Sequence, residues 1–256
     1  NLLINIHCRQ IFDNQVYKLK IIWELCIVAK KQLSCIRIIF ILSGFVALWA
    51  VITDAWGYSD RIFGNSFRNT GTYIYGYFSR CIWAIPAILL IIKYNSQLKI
   101  QKCELYKPLK FDKSLIIVIV ISLGYVVTGM FINHKGFWFN SRNTLGLVVV
   151  KYIVVGLVEE TVFRGWGYNS LSKIVSHKKA AVISTVFFVL LHCPAYFIKL
   201  YRFGVFDFMG LIGQSSSALI WGLVLCWLLK KSKTLWNPIL AHTIYDLTYI
   251  LFIGGN

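Results

Sequence analysis

Residues 144–165 read TLGLVVVKYIVVGLVEETVFRG, an apolar run that ends in charged residues. The apolar part, residues 144–163, has the length of about 20 residues that a helix needs to cross a bilayer. It contains two adjacent glutamates, Glu159 and Glu160, and Arg164 follows directly after it. Ionisable side chains at membrane depth are costly and indicate a functional site. The stretch therefore predicts a transmembrane helix that carries chemistry near one end.

The whole chain has the composition of a polytopic membrane protein. Of its 256 residues, 57% are hydrophobic and 14% are charged, whereas soluble domains have about 45–50% and about 25%. The net charge is +17, but a nucleic-acid-binding protein would need those cations on a polar surface, which this chain lacks. The apolar content excludes a disordered chain. The seven scattered cysteines contain no Cys-x-x-Cys pair, which argues against a zinc knuckle or a redox motif.

We predict an all-α fold, a polytopic membrane bundle of about seven to eight transmembrane helices. Seven stretches are long and apolar enough to span a bilayer, namely residues 36–56, 73–92, 115–133, 144–163, 180–198, 208–229 and 234–253. Residues 1–35 mix lysines with apolar residues and predict an interfacial amphipathic segment, with part of an eighth helix as the alternative. We assign the transmembrane bundle to residues 36–256, with the catalytic motifs in residues 144–250.

The distribution of cations predicts that the N-terminus lies inside. With this orientation the inner segments carry 19 Lys and Arg residues and the outer loops carry six, which is the bias expected of a cytoplasmic face. Arg80 and Lys151 lie within spans, where either snorkelling to the interface or a functional role would explain them.

Glu160 and Arg164 are four residues apart on one helix face, with the acid first, which is the favourable order for an ion pair. Glu159 points about 100° away and has no basic residue three or four positions later. An unpaired carboxylate in an apolar environment suits a general base. The alternative is a helix-end ion pair beside a glutamate that snorkels to the interface.

Only two histidines, His192 and His242, lie within predicted spans. Asp246 follows His242 by four residues, so the two share a helix face. This pair could be a carboxylate that orients a histidine, a set of oxyanion donors, or two metal ligands. The alternative is a polar contact between helices, and His192 could equally be a core histidine.

Taken together, the polar side chains on three spans can activate water and stabilise an oxyanion, which indicates acyl hydrolysis within the membrane. Hydrolysis at this depth requires a water-filled cavity, which we expect to open inward. From the predicted inner span ends, Glu159 lies about 6 Å deep and His192 about 18 Å. Helix tilt, a kink at Pro194 or a misplaced span boundary would have to absorb this difference.

The stretches EETVFRG (159–165), FVLLH (188–192) and HTIYD (242–246) resemble the E-E-x-x-x-R, F-x-x-x-H and H-x-x-x-N/D motifs of the CPBP intramembrane protease family. This family is also called the Abi or type II CAAX prenyl endopeptidase family. The resemblance covers residues 144–250. It implies an integral membrane peptidase, since eukaryotic members cut prenylated C-a-a-X tails and bacterial relatives are linked to peptide processing and bacteriocin immunity.

The resemblance also implies roles for individual residues. Glu159 matches the glutamate that activates the attacking water, and Glu160 and Arg164 match the rest of that motif. His192 matches the histidine that helps to hold the water.

His242 and Asp246 match the pair that supports the oxyanion. An ionised Asp246 would repel an oxyanion, so this residue must be protonated or must instead orient His242.

The metal requirement stays open at this stage. The family is labelled a metalloprotease family, but a glutamate with histidine partners can also activate water alone. The chain has no H-E-x-x-H sequence, so the common zinc-protease arrangement is absent. No cofactor follows with certainty, and a divalent metal such as zinc is an open alternative.

We predict a hydrolase of the bacterial cell membrane, an endopeptidase whose partners are membrane lipids and a peptide or lipidated protein substrate. The oligomeric state does not follow from the sequence. One alternative is a non-catalytic bacteriocin-immunity or scaffold protein of the same fold. Another is a proton-coupled transporter with Glu159, Glu160 and Asp246 as a relay, which the absence of a visible inverted repeat disfavours.

Overall fold

The computed structural model describes residues 32–140 and 153–254, with residues 56–75 described by their helical backbone alone. Within these ranges the chain forms helices and connections, without a strand, which confirms the all-α prediction. The elements are α1 (Cys35–Lys93), a 3-10 turn (Asn95–Gln97), α2 (Lys102–Leu105), α3 (Lys113–His134), α4 (Val155–Glu160), a π-helical segment (Thr161–Tyr168), α5 (Asn169–Ile174), α6 (His177–Phe203), α7 (Phe208–Ser232) and α8 (Trp236–Phe252).

Five segments are long and apolar enough to cross a membrane, and they match five of the seven predicted spans. These are Cys35–Ala55, Gly76–Lys93, Lys113–His134, His177–Phe203 and Phe208–Ser232. Of the other two, residues 144–163 fall partly outside the described residues, and α8 has only 17 residues. The total of seven to eight spans and the inside position of the N-terminus stay predictions. The interfacial segment predicted for residues 1–35 lies outside the described residues up to residue 31.

Helix α1 contains two of the five spans. Trp83 Nε1 donates a hydrogen bond of 2.8 Å to the carbonyl of Phe45, and the Trp83 ring packs on those of Phe45 and Trp49. Along a straight helix, the 38 residues from Phe45 to Trp83 would cover about 57 Å. The two halves of α1 therefore lie side by side and run in opposite directions.

The lysine-rich connections meet at one end of the bundle. This end, called the basic end below, comprises residues 93–113, 173–179 and 230–235. The backbone N–H of Lys99 donates to the carbonyl of Asn169 at 3.3 Å, and that of Leu235 donates to the carbonyl of Leu105 at 2.8 Å. The segments that the cation count assigns to one membrane face thus lie together.

Two buried asparagines fasten the connection between α1 and α3. Asn169 Oδ1 accepts from the backbone N–H of Ile100, and its Nδ2 donates to the carbonyl of Ile100, both at 2.8 Å. Asn237 makes the same pair of bonds with Lys110, at 2.9 and 2.7 Å. Buried backbone groups need hydrogen-bond partners. Each asparagine side chain supplies both partners, one for the N–H and one for the carbonyl of the residue that it binds.

The opposite end of the bundle, called the far end below, is joined by an ion pair between α1 and α6. Arg202 Nη2 donates to Asp54 Oδ1 at 2.6 Å, and Arg202 Nε donates to the same oxygen at 3.1 Å. Arg202 lies next to the end of α6, and Asp54 lies next to the end of the first span. Helices α3 and α8 both begin beside the basic end, so their C-termini also lie at the far end. There His134 Nε2 lies 2.8 Å from the carbonyl oxygen of Ile253.

The helical chain that carries Glu159 does not stop at residue 163, where the span is predicted to end. It continues through the π-helical segment into α5 and ends at Ile174. Glu159 precedes Ile174 by fifteen residues, and His192 follows His177 by fifteen, about 22 Å each at the α-helical rise. The two side chains thus lie at similar depths from the basic end, and the expected mismatch in depth disappears.

We predict that Asn169→Leu lowers the free energy of unfolding in detergent by about 2–4 kcal/mol, because the buried N–H and carbonyl of Ile100 lose their partners. The matched control is Asn133→Leu, which removes one exposed bond within α3 and should change stability by less than about 0.5 kcal/mol. Equal effects of the two substitutions would contradict the role given to Asn169.

We predict that the two ends of the bundle face opposite sides of the membrane, with the basic end inside. In a variant whose native cysteines are replaced, Lys107→Cys should react with a membrane-impermeant thiol reagent only after the inner face is opened. Lys135→Cys, at the far end, should react from outside in intact cells. The reverse pattern would overturn the predicted orientation, and labelling of both from one side would overturn the assignment of the ends.

Candidate active site

Four of the predicted site residues form one buried chain of contacts. Arg164 Nη1 donates to Glu160 Oε1 at 3.0 Å, as the spacing of four residues predicts. The same oxygen lies 2.8 Å from His242 Nδ1, and His242 Nε2 lies 3.3 Å from Asp246 Oδ2. Glu160 and Arg164 are fully buried, and His242 is 7% exposed. The contacts join the chain around α4 to α8, 82 residues further along the sequence.

The protonation of this network follows from its geometry. Both ring nitrogens of His242 face carboxylate oxygens. Both contacts are hydrogen bonds only if the ring is doubly protonated or one carboxyl group carries the proton. Asp246 contacts His242, as the orienting role considered from the sequence requires, and neither nitrogen of His242 is without a partner.

Phe188 is the packing centre of the site, and no role for it follows from the sequence alone. The guanidinium carbon of Arg164 lies 4.2 Å from its ring centroid, a cation–π arrangement. The rings of His192 and His242 pack edge-on against it, with centroids 5.1 and 6.0 Å away. The available signal was its position four residues before His192, which puts both on one face of α6.

Glu159 and His192 lie apart from this network, in a cavity of about 340 Å³. The cavity is lined by Trp49, Thr53, Glu159, Leu191, His192, Ala195, Tyr196, Lys199 and Gln214. Glu159 makes no hydrogen bond or ion pair with any residue that the structure describes. The two adjacent glutamates thus differ, because Glu160 is paired and Glu159 faces the cavity.

The second nitrogen of His192 is available to a ligand in the cavity. Its Nδ1–H donates to the carbonyl of Phe188 at 2.8 Å, a bond within α6. This bond fixes the tautomer, so Nε2 of the neutral ring is left as an acceptor. His192 can therefore accept a hydrogen bond from a water molecule that also contacts Glu159.

Ionisable groups lie near Glu159 without a hydrogen bond or ion pair to it in the described part of the chain. His192, His242, Asp246 and Arg80 are all close enough for an electrostatic interaction with its carboxylate. The guanidinium carbon of Arg80 lies 5.5 Å from the ring centroid of Trp49, a residue of the cavity wall. All six predicted site residues are therefore near one another, two in the cavity and four in the network beside it.

The cavity reaches towards the far end of the bundle rather than towards the basic end. Thr53 is close to the end of the first span, Lys199 is close to the end of α6, and Gln214 is in the second turn of α7. All three helix ends lie at the far end. In the predicted orientation this is the outer side, which disagrees with the expected inward opening.

The side chains of the site do not fit a catalytic zinc ion. Such a site takes three protein ligands and leaves one position for water. In the described part of the chain, no group of three or more His, Cys, Asp or Glu side chains is arranged to hold a metal ion. The cavity offers two candidate ligands, Glu159 and His192 Nε2.

Close contact between α4 and α8 brings Glu160 to His242. A Cβ atom at Gly156 would lie 2.6 Å from Thr243 Oγ1 and 3.4 Å from the carbonyl oxygen of Ile239. Only glycine lets the two helices approach this closely. The next turn of each helix carries the contact between Glu160 and His242.

We predict that Gly156→Val lowers the free energy of unfolding by about 1–3 kcal/mol, because the added atoms push α8 away. Gly124→Val is the matched control, since a Cβ at Gly124 meets nothing within 4 Å, and it should be close to neutral. Thermal unfolding in detergent measures both. If Gly156→Val were as stable as the control, the packing of α4 on α8 would differ from that described.

Comparison with known families places these residues in one region. Residues 141–248 match the sequence profile of the family described as Type II CAAX prenyl endopeptidase Rce1-like. This range includes all six predicted site residues. No curated protein and no solved structure matches the chain. The resemblance stated from the three motifs is confirmed by this match.

Proposed function

We propose that the chain, of which residues 141–248 match the model of the type II CAAX prenyl endopeptidases, is an active integral membrane endopeptidase of this CPBP family. Its substrate is a membrane-associated or lipidated peptide, and its host membrane is a bacterial cell membrane. The observation that carries the proposal is the shared cavity of Glu159 and His192. An unpaired carboxylate and a histidine with a free Nε2 are what a single attacking water requires.

In the proposed mechanism Glu159 is the general base. It takes a proton from a water molecule that also donates to His192 Nε2. The water oxygen bonds to the carbonyl carbon of the scissile peptide as the proton moves to Glu159. Glu159 then delivers that proton to the leaving nitrogen, and the carbon–nitrogen bond breaks. One water molecule is consumed, and its second proton stays on the new carboxyl group until that group ionises.

The buried network supports this reaction. Glu160 holds His242 through Nδ1, the shorter of the two contacts of the ring, at 2.8 Å against 3.3 Å for Nε2 and Asp246. The Nε2–H can therefore donate to an oxyanion in place of Asp246, which at that step has to be protonated because its carboxylate would repel the oxyanion. Arg164 offsets part of the negative charge of Glu160. We assign Glu160, Arg164 and Asp246 as positioning residues.

We predict that Glu159→Gln lowers kcat for a farnesylated C-a-a-X peptide in proteoliposomes by about 10²–10⁴-fold, the usual contribution of a general base. Folding should be unaffected, because Glu159 has no hydrogen bond to lose among the described residues. Glu104→Gln is the matched control, since Glu104 lies at the basic end in an exposed ion pair with Lys233 at 3.7 Å. Its activity should stay at the wild-type level.

The same pair of variants separates catalysis from the non-catalytic alternative. Full activity of Glu159→Gln would overturn the mechanism. If the wild type cleaves no lipidated peptide but Glu159→Gln still protects cells from a bacteriocin, the protein acts by binding and the proposed activity is wrong. A metal chelator should leave the wild-type activity intact, and loss of activity restored by added zinc would overturn a mechanism without a resident metal.

A further inference from the structure

Three basic side chains from separate parts of the chain, Lys99, His177 and Lys230, lie together at the basic end and are called the cation cluster below. His177 Nδ1 lies 3.1 Å from the hydroxyl oxygen of Tyr168. Lys99 is held beside Tyr168, because its backbone N–H donates to the carbonyl of the next residue, Asn169, at 3.3 Å. Both lysines are close enough to His177 for an electrostatic interaction. The connection after α1, the start of α6 and the end of α7 thus each contribute one member.

The position of Lys230 also follows from the packing of α7. Cys226 is buried, and it lies within electrostatic range of Tyr168. Lys230 follows Cys226 by four residues, so the two side chains share a helix face. Lys230 is therefore one helical turn nearer to the end of the bundle than Cys226, on the side of α7 that faces Tyr168.

No carboxylate pairs with Lys99 or Lys230, both exposed, in the described part of the chain. The basic end has twelve lysines and only two acids, Glu104 and Asp112. Glu104 pairs with Lys233 at 3.7 Å, and the side chain of Asp112 caps α3. Like charges that lie close together repel each other. The cation cluster therefore favours an anion that the protein itself does not supply.

His177 adds a hydrogen-bond donor to the two lysines. A tyrosine hydroxyl keeps its proton at neutral pH, so Tyr168 can donate to His177 Nδ1, and the neutral ring then carries its own proton on Nε2. This second nitrogen makes no hydrogen bond to any residue that the structure describes. Two ammonium groups and one ring N–H are donors that suit the oxygens of a phosphate group.

Exposed tryptophans place the cation cluster at the level of lipid headgroups. Trp227 and Trp236 are 40% and 41% exposed, and they lie three residues before Lys230 and six residues after it. Tryptophan is enriched where the hydrocarbon of a bilayer meets its headgroups. Ile174, three residues before His177, is also exposed and adds apolar surface at this boundary. The headgroup layer is therefore the nearest source of a phosphate.

We propose that the cation cluster binds the phosphate group of an anionic phospholipid in the leaflet at the basic end. A choline headgroup carries a positive charge that the cluster repels, whereas a glycerol headgroup leaves the phosphate charge uncompensated. Each lysine near an anionic lipid surface strengthens binding by about fivefold. The bound lipid would join the three segments that carry the cluster, and this role does not depend on the proposed peptidase activity.

The test measures binding of single lipids to the full-length protein in detergent micelles by native mass spectrometry. The probes are phosphatidylglycerol and phosphatidylcholine with identical acyl chains. The wild type should bind phosphatidylglycerol about 25-fold more tightly, as two lysines at about fivefold each predict. Lys99→Gln and Lys230→Gln should each lower the affinity for phosphatidylglycerol by about fivefold and leave that for phosphatidylcholine unchanged. The double variant should lose the preference.

Lys113→Gln is the matched control, because it removes one exposed lysine from the basic end outside the cation cluster. It should retain the preference of the wild type for phosphatidylglycerol. Glu159→Gln should also bind both lipids as the wild type does. A chain that prefers phosphatidylglycerol but cleaves no peptide would thus retain the lipid site and reject the peptidase.

Equal affinity of the wild type for the two lipids would overturn the inference. So would equal losses in Lys113→Gln and Lys230→Gln, which would mean that the basic end attracts anionic lipid as a whole. Displacement of the bound phosphatidylglycerol by millimolar sodium phosphate would mean that the cluster is a site for soluble phosphate, and the assignment to a lipid would be wrong.

Discussion

The contact between Glu160 and His242, held by Arg164, is the interaction on which the rest of the site depends. It joins parts of the chain that are 82 residues apart, and it is buried. Charges in such an environment add little net stability, but removal of one partner costs about 3–5 kcal/mol because the other remains buried. Glu160 Oε2 and two nitrogens of Arg164 have no partner among the described residues. The network is therefore better explained by the positions it imposes than by its energy.

Fixing Glu160 also fixes its neighbour. Adjacent residues on a helix point about 100° apart, so when Glu160 is turned towards His242, Glu159 is turned away from it and into the cavity. Phe188 has a similar effect on α6. Its ring contacts both the guanidinium group of Arg164 and the ring of His192, and it therefore holds His192 in position. Glu160 and Phe188 thus determine that the side chains of Glu159 and His192 face the cavity.

The sequence predicts local features of this protein well. Five spans follow from apolar length, and the ion pair of Glu160 and Arg164 follows from helical spacing. The end of the helix after Glu160 could not be predicted in this way, because Asn169, Ser170 and Ser172 are buried by tertiary contacts rather than by lipid. Asn169 and Asn237 act across long sequence separations and leave no periodic signal. The direction of the cavity depends on how three helices pack, which hydropathy does not report.

Helix α6 holds His192 at the cavity because it is attached on both sides of that residue. Ser184 Oγ donates to the carbonyl of Phe163 at 2.7 Å, and Arg202 binds Asp54 at the other end. Pro194 lies between these two attachments and has no N–H to bond within the helix. Contacts with neighbouring elements, rather than the helix alone, therefore keep His192 in the cavity that it shares with Glu159. The position of His192 is thus set by tertiary packing, as the position of Glu159 is set by the contact between Glu160 and His242.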